Sequence, residues 1–278
     1  MKNQVKSSRI ARGVWLAPTL LLLGAVAQLF LSGNNGCGTK EQQTTMKSPV
    51  QALGNVLEHA DGKVDAELVL ISTIGKTHVF IETATNVQLA VDGTTVIDLP
   101  KAGPGRWAVS STGEPRLKLE AGTRYQFRFD LDDRATAGEM AGGHFVGEVV
   151  ANGAPSQVTP TSEGYANHTL DVTFLPAIRD QSGSARRGIL YVFGPDGSIT
   201  FRNFDLTHPQ FDGSKHARLI AGDRYVLPDT AFPVSGDYLI RLYTVSYVAG
   251  FDPHKSAELG LFSGFLAGPA SEVSVNME

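Results

Sequence analysis

One cysteine in 278 residues excludes an intramolecular disulfide, so the fold must rest on apolar burial instead of crosslinks. Long amphipathic helices are missing too. After residue 60 no extended stripe of apolar residues recurs at helical spacing, which excludes βαβ architectures. The chain has no G-x-S-x-G between a strand and a helix, no Walker loop and no H-E-x-x-H. The local signatures of an α/β-hydrolase nucleophile, a nucleotide phosphate cradle and a zincin helix are therefore absent. Basic residues are not in excess, with 24 Lys+Arg against 28 Asp+Glu. Such a surface is poorly suited to nucleic acid, which selects basic patches.

The lone cysteine has a telling position. Residues 1–13 carry Lys2, Lys6, Arg9 and Arg12 and no acid, and Val14–Ser32 is an apolar run. A short polar step, Gly33–Gly36, leads to Cys37 and then to polar "GTKEQQTTMKS". Basic start, apolar run and polar exit together read as an export signal. The arrangement resembles a bacterial lipoprotein signal, in which the cysteine after the cut receives lipid. Gly36 fits that pattern; Asn34 and Asn35 depart from it, since the family favours a leucine and a small residue there. Two other readings use the same residues. "AVAQ", Ala25–Gln28, is an A-x-A cleavage site that would release a soluble protein. Left uncut, Val14–Ser32 approaches the ~20 residues needed to span a bilayer. All three readings place the bulk of the chain outside the cytoplasm. Without residues 1–36 the balance becomes 20 Lys+Arg against 28 acids, a net charge near −8.

Residues 38–47 are polar, a tether. "SPVQALGNVLEHADG" is a candidate short helix, with Ser48 as N-cap, Pro49 in the first turn, and Val50, Leu53 and Leu57 on one face. From residue 66 onward the dominant period is two. In "RYQFRFDL", Tyr125, Phe127, Phe129 and Leu131 alternate with Arg124, Gln126, Arg128 and Asp130. One face belongs in a core and the other in water. "HTLDVTF" and "SEVSVNM" repeat the pattern. Hairpins are expected in "ILYVFGPDGSITF", turning at Gly194–Gly197, and in "NVQLAVDGTTVIDL", turning at Asp92–Gly93. The fold class is all-β, two antiparallel β-sandwich domains after an N-terminal signal or anchor.

An internal echo supports two units. "LEAGTRY" (Leu119–Tyr125) answers "LIAGDRY" (Leu219–Tyr225), "GHFVG" answers "GLFSG", and "GAPSQVT" answers "GPASEVS". The alternative is that β-sandwiches simply reuse such a corner. The expected division is 1–36 signal or anchor, 37–62 tether, 63–160 first sandwich and 161–278 second sandwich. On the "LEAGTRYQFRF" corner and the "APSQVTPT" strand, the chain resembles tandem immunoglobulin-like or fibronectin type III-like modules of exported bacterial proteins. That resemblance implies a structural corner tyrosine, Tyr125 in the first module and Tyr225 or Tyr238 in the second.

Chemistry-bearing clusters are few. "DLTHPQFDGSKH" offers Asp205, His208, Asp212 and His216, metal-ligand types without a recognised spacing. "FDPHKSAE" offers Asp252, His254 and Glu258. "DLDDRATAGE" places Asp130, Asp132 and Asp133 near one another, but Arg134 and Ala135 stand where a calcium loop needs an oxygen ligand and glycine. "NHT", Asn167–Thr169, is a bare glycosylation sequon. No cofactor is expected. The expectation is a membrane-tethered envelope lipoprotein, anchored through Cys37 or an N-terminal helix. Its role would be non-catalytic binding or structure toward an envelope protein or polysaccharide. The rival is a metal-dependent enzyme, or an enzyme accessory module, using the Asp205–His216 loop.

Overall fold

The structure, a computed structural model, describes residues 50–74, 77–131, 143–161, 169–180, 185–203, 219–249 and 264–277. Those residues are all-β, with no α-helix among them. The strands in chain order are β1 (Val50–Glu58), β2 (Val64–Ile74), β3 (Thr77–Phe80), β4 (Thr85–Val91) and β5 (Thr95–Asp98). Next come β6 (Lys101–Gly103), β7 (Arg106–Ser110), β8 (Arg124–Leu131), β9 (Gly143–Val150) and β10 (Gln157–Pro160). Then follow β11 (Leu170–Ile178), β12 (Ala185–Phe193), β13 (Ile199–Arg202), β14 (Gly222–Leu227), β15 (Gly236–Ala249) and β16 (Gly264–Met277).

They form three sheets. A nine-stranded sheet runs β13-β12-β15-β16-β1-β2-β7-β6, with β3 added beside β2. A four-stranded sheet runs β5-β4-β8-β9 and a three-stranded one β10-β11-β14. Strands from both halves of the chain therefore share the large sheet. β10 closes the span 63–160 in sequence yet pairs with β11 in the third sheet.

Residues 50–58 are extended, where the sequence suggests a helix. β1 lies between β2 and β16, antiparallel to the first and parallel to the second. A central strand is covered on both faces, so its sequence loses the polar alternation that would mark it. Ala52, Gly54 and Val56 face one core while Leu53 and Leu57 face another. Gly54 is needed where it stands: a Cβ there would lie 2.6 Å from both the Phe265 and Phe127 rings.

Side-chain parity along β16 fixes the layering. Phe265 and Ala267 enter the core shared with the four-stranded sheet, which holds Leu89, Tyr125, Phe127 and Phe129. Val273, Val275 and Met277 have the same parity and enter the core of the third sheet, with Val172, Phe174, Leu190 and Ile240. Odd-numbered residues of one strand share a face, so both smaller sheets pack on the same side of the large one. The arrangement is sandwich-like. The opposite side carries Leu53, Leu57, Val69, Ile71, Ile189, Tyr191, Tyr243, Val245 and Leu266.

The strands with the clearest alternation fold as the sequence indicates. β8 alternates buried and partly exposed positions along Tyr125–Leu131. The β4–β5 hairpin turns at Asp92 and Gly93 with φ of 48° and 71°, the pair of positive values a type I′ turn requires.

Phe265 stacks on Phe127, centroids 5.6 Å apart. A Cβ at Gly147 would lie 1.8 Å from Phe265 Cζ. Gly147→Ala is therefore expected to cost about 1–3 kcal/mol, as overpacking does. Chemical denaturation measures it, and adding Phe265→Leu should restore part of the loss. An undiminished deficit in the double variant would show that the ring is not the obstacle.

Candidate functional site

The side of the large sheet that faces away from the two smaller sheets is not wholly apolar. The turn after β1 closes through His59 N–H to the Lys63 carbonyl (2.8 Å) and Gly62 N–H to the His59 carbonyl (2.9 Å). That turn sets the His59 ring against β2 and β15. His59 Nε2 lies 2.8 Å from Asp65 Oδ2, and His59 Nδ1 lies 2.7 Å from the Tyr243 hydroxyl. Imidazole and tyrosine rings meet edge to face at 5.8 Å. Tyr243 in turn receives Arg241 Nη1 at 3.5 Å, and Arg241 is paired with Glu272. The Arg241 guanidinium sits 4.9 Å over the Phe193 ring.

The partners assign the tautomer. Ionised Asp65 only accepts and Arg241 only donates. His59 therefore donates from Nε2–H to Asp65, while Tyr243 donates its O–H to Nδ1. Burial pushes the Asp65 carboxyl up, but hydrogen bonds from His59 and Ser110 and the nearby Lys63 charge hold it below the usual range. Burial pushes Tyr243 up to about 12, against the pull of Arg241. The phenol thus stays protonated throughout the neutral range, and the chain from Asp65 to Glu272 ties β2, β15 and β16 together.

Beside this chain is a shallow cleft of about 230 Å³ lined by residues that include Lys63, Asp65, Glu67, Arg106 and Ser110. Glu67 is 2% exposed and pairs with Arg106 Nε. Burial raises the Glu67 carboxyl, and the charge and hydrogen bond of Arg106, with Asn55 opposite, pull it back only in part. Two acids and two bases leave the cleft close to neutral. Each acid is already held by a neighbour, so the unspent hydrogen-bonding capacity belongs to Lys63 and Arg106.

Sequence reasoning missed His59, Asp65, Glu67, Arg106 and Tyr243. Asp65 and Glu67 do carry a signal, as acids at alternating positions on the strand Val64–Ile74, where solvent-facing polar residues and a buried pair look alike. Cys37, Asp205, His208, Asp212, His216, Asp252, His254, Glu258, Asp132, Asp133, Asn167 and His168 lie outside the described residues. Asp130 is on the exposed face of β8 and accepts from Asn86 Nδ2 at 2.6 Å, with His144 Nδ1 at 2.7 Å. The Asn86 and His144 bonds hold its carboxyl below the usual range. Among the described residues no group of three or more His, Cys, Asp or Glu could hold a metal ion.

Tyr125 is fully buried; its hydroxyl donates to the Lys118 carbonyl and accepts from Glu120 N–H at 3.4 Å. Tyr238 is buried, donates to the Val234 carbonyl at 2.5 Å and meets Phe232 edge to face at 5.1 Å. Tyr225 is half-buried on β14, its ring 6.3 Å from Phe201.

Neither a scan against protein-family models nor a search of curated proteins finds a match to this chain.

Proposed function

We propose that this chain is an envelope lipoprotein, anchored through lipid on Cys37, whose exported β-rich part binds another envelope component without catalysing a reaction. The observation that carries the reading is the order of the N-terminal residues: four bases, an apolar run from Val14 to Ser32, then Cys37 and a polar stretch. Buried acyl chains contribute about 0.8 kcal/mol per methylene, so more than one chain anchors stably. Residues 38–47 would act as a leash of at most roughly 35 Å. Beyond it stand two immunoglobulin-like sandwich modules that share the large sheet. Separate cores over its two halves support that division. The partner is a protein or polysaccharide of the envelope, met by sheet faces or loops. The polar chain from Asp65 to Glu272 supports a binding scaffold, because its titratable groups are engaged with one another.

Cys37→Ala should leave the protein unprocessed or move it from the detergent phase to the aqueous phase on Triton X-114 partitioning. If the variant matures and partitions as the wild type does, the anchor is an uncut helix and the lipoprotein reading fails.

A further inference from the structure

The segment from Ala151 to Ser156 carries the chain from β9 in the four-stranded sheet to β10 in the three-stranded one. It crosses the large sheet between the two cores, and polar contacts pin it there. Asn152 Nδ2 donates to the carbonyls of Ala154 (3.1 Å) and Thr244 (3.3 Å). Ser156 N–H donates to Thr244 Oγ1 at 2.9 Å, and Ser271 Oγ donates to the Ser156 carbonyl at 2.7 Å. β16 approaches so closely here that a Cβ on Gly268 would lie 2.0 Å from the Thr244 carbonyl oxygen.

Two buried atoms of this seam, Arg186 Nε and Ser156 Oγ, have no hydrogen-bond partner among the described residues. Arg186 is 3% exposed and Ser156 is fully buried. The Arg186 guanidinium donates from Nη2 to the Ala154 carbonyl at 2.9 Å and meets no carboxylate among the described residues. Asp180, the nearby acid, accepts instead from the Arg186 backbone N–H at 3.2 Å and from the Arg187 guanidinium. Buried charges in proteins are paired, and a buried polar atom without a partner points to an ion or water that completes it. Both orphan atoms donate hydrogen bonds, and one sits on a planar cation whose fork matches the oxygens of carboxylate and phosphate.

We propose that the seam between the two cores binds an oxyanion, a carboxylate or a phosphate group, on Arg186 and Ser156. Burial without a counter-charge, which lowers the Arg186 pKa, fits a site that is completed by its ligand. The assignment is independent of how the N-terminus is anchored.

The test is thermal unfolding of the full chain in detergent, with sodium acetate or sodium phosphate titrated against sodium chloride at fixed pH and ionic strength. One of the two oxyanions should raise the midpoint saturably, by roughly 5–10 °C at a hundredfold excess over its Kd. Acetate acting alone identifies a carboxylate ligand; phosphate acting alone identifies a phosphate ligand. Arg186→Met should abolish the rise. Ser156→Ala, which keeps the guanidinium and removes only a hydroxyl, should shift the saturation curve to about tenfold higher concentration. The assignment is overturned if neither oxyanion acts beyond chloride, or if the rise survives in Arg186→Met. It is equally overturned if Ser156→Ala saturates as the wild type does, an outcome readable even if Arg186→Met does not fold.

Discussion

Arg106→Met is expected to destabilise the fold by about 3–5 kcal/mol at pH 7, because it strands a charge that the sheet has taken out of water. Glu67 is buried on β2 and Arg106 reaches it from β7. Methionine retains much of the apolar stem of arginine, so the loss is electrostatic more than steric. The sign of the pH dependence follows from Glu67. Its carboxyl is raised by burial even with Arg106 present, and without Arg106 it must rise further. A group raised in the folded state favours folding when protonated, and that stability is lost as pH climbs through the folded-state pKa. The deficit of Arg106→Met should therefore be largest near neutrality and shrink as pH falls through that value. Urea unfolding at several pH values between 4 and 8 measures it. The double variant Arg106→Met, Glu67→Met should recover most of the loss, since a matched apolar pair replaces a buried ion pair at little cost. A deficit that is flat with pH would mean that the pair is solvated and stabilises the sheet only by packing.

Tyr125→Ala should cost about as much, about 3–5 kcal/mol, by a different route. The whole ring lies in the core between the large and four-stranded sheets, so truncation removes its burial and leaves a cavity. It also orphans the Lys118 carbonyl, to which the hydroxyl donates. Burial has pushed the phenol up to about 12, so this bond persists across the neutral range. Tyr125→Phe separates the two effects and should lose only about 1 kcal/mol. Guanidinium unfolding midpoints decide the matter. Equal midpoints for the wild type and Tyr125→Ala would place the ring outside the cooperative core. A folded domain typically has only 5–15 kcal/mol in hand, so either Arg106→Met or Tyr125→Ala takes a large share of it.

What could be read in the sequence was local. The alternation from Tyr125 to Leu131 reports a half-buried strand because neighbouring side chains point to opposite faces, which needs no knowledge of the partner strand. Asp92–Gly93 reports its turn for a similar reason: few residue pairs tolerate two positive φ values. β1 gave no such signal. Leu53, Gly54 and Val56 meet Gly264, Phe265 and Ala267 some two hundred residues away, and both faces of the strand are covered. A span cut at residue 63 would omit this central strand. The polar chain was hidden for the same cause, since His59 and Tyr243 are 184 positions apart.

By itself, then, the sequence determined the β character, the hairpin turns and the place of Tyr125 on the apolar face of its strand, as well as the expectation of export. Each depends on spacing within a few residues. Only the tertiary structure decided that one nine-stranded sheet spans both halves of the chain. It also decided that Glu67 is paired with a base while Arg186 meets no acid among the described residues, and that the crossover from Ala151 to Ser156 runs along a polar seam. Pairing, burial and the lack of a counter-charge are relations between distant residues, set by register and layer packing, and no short window of sequence contains them.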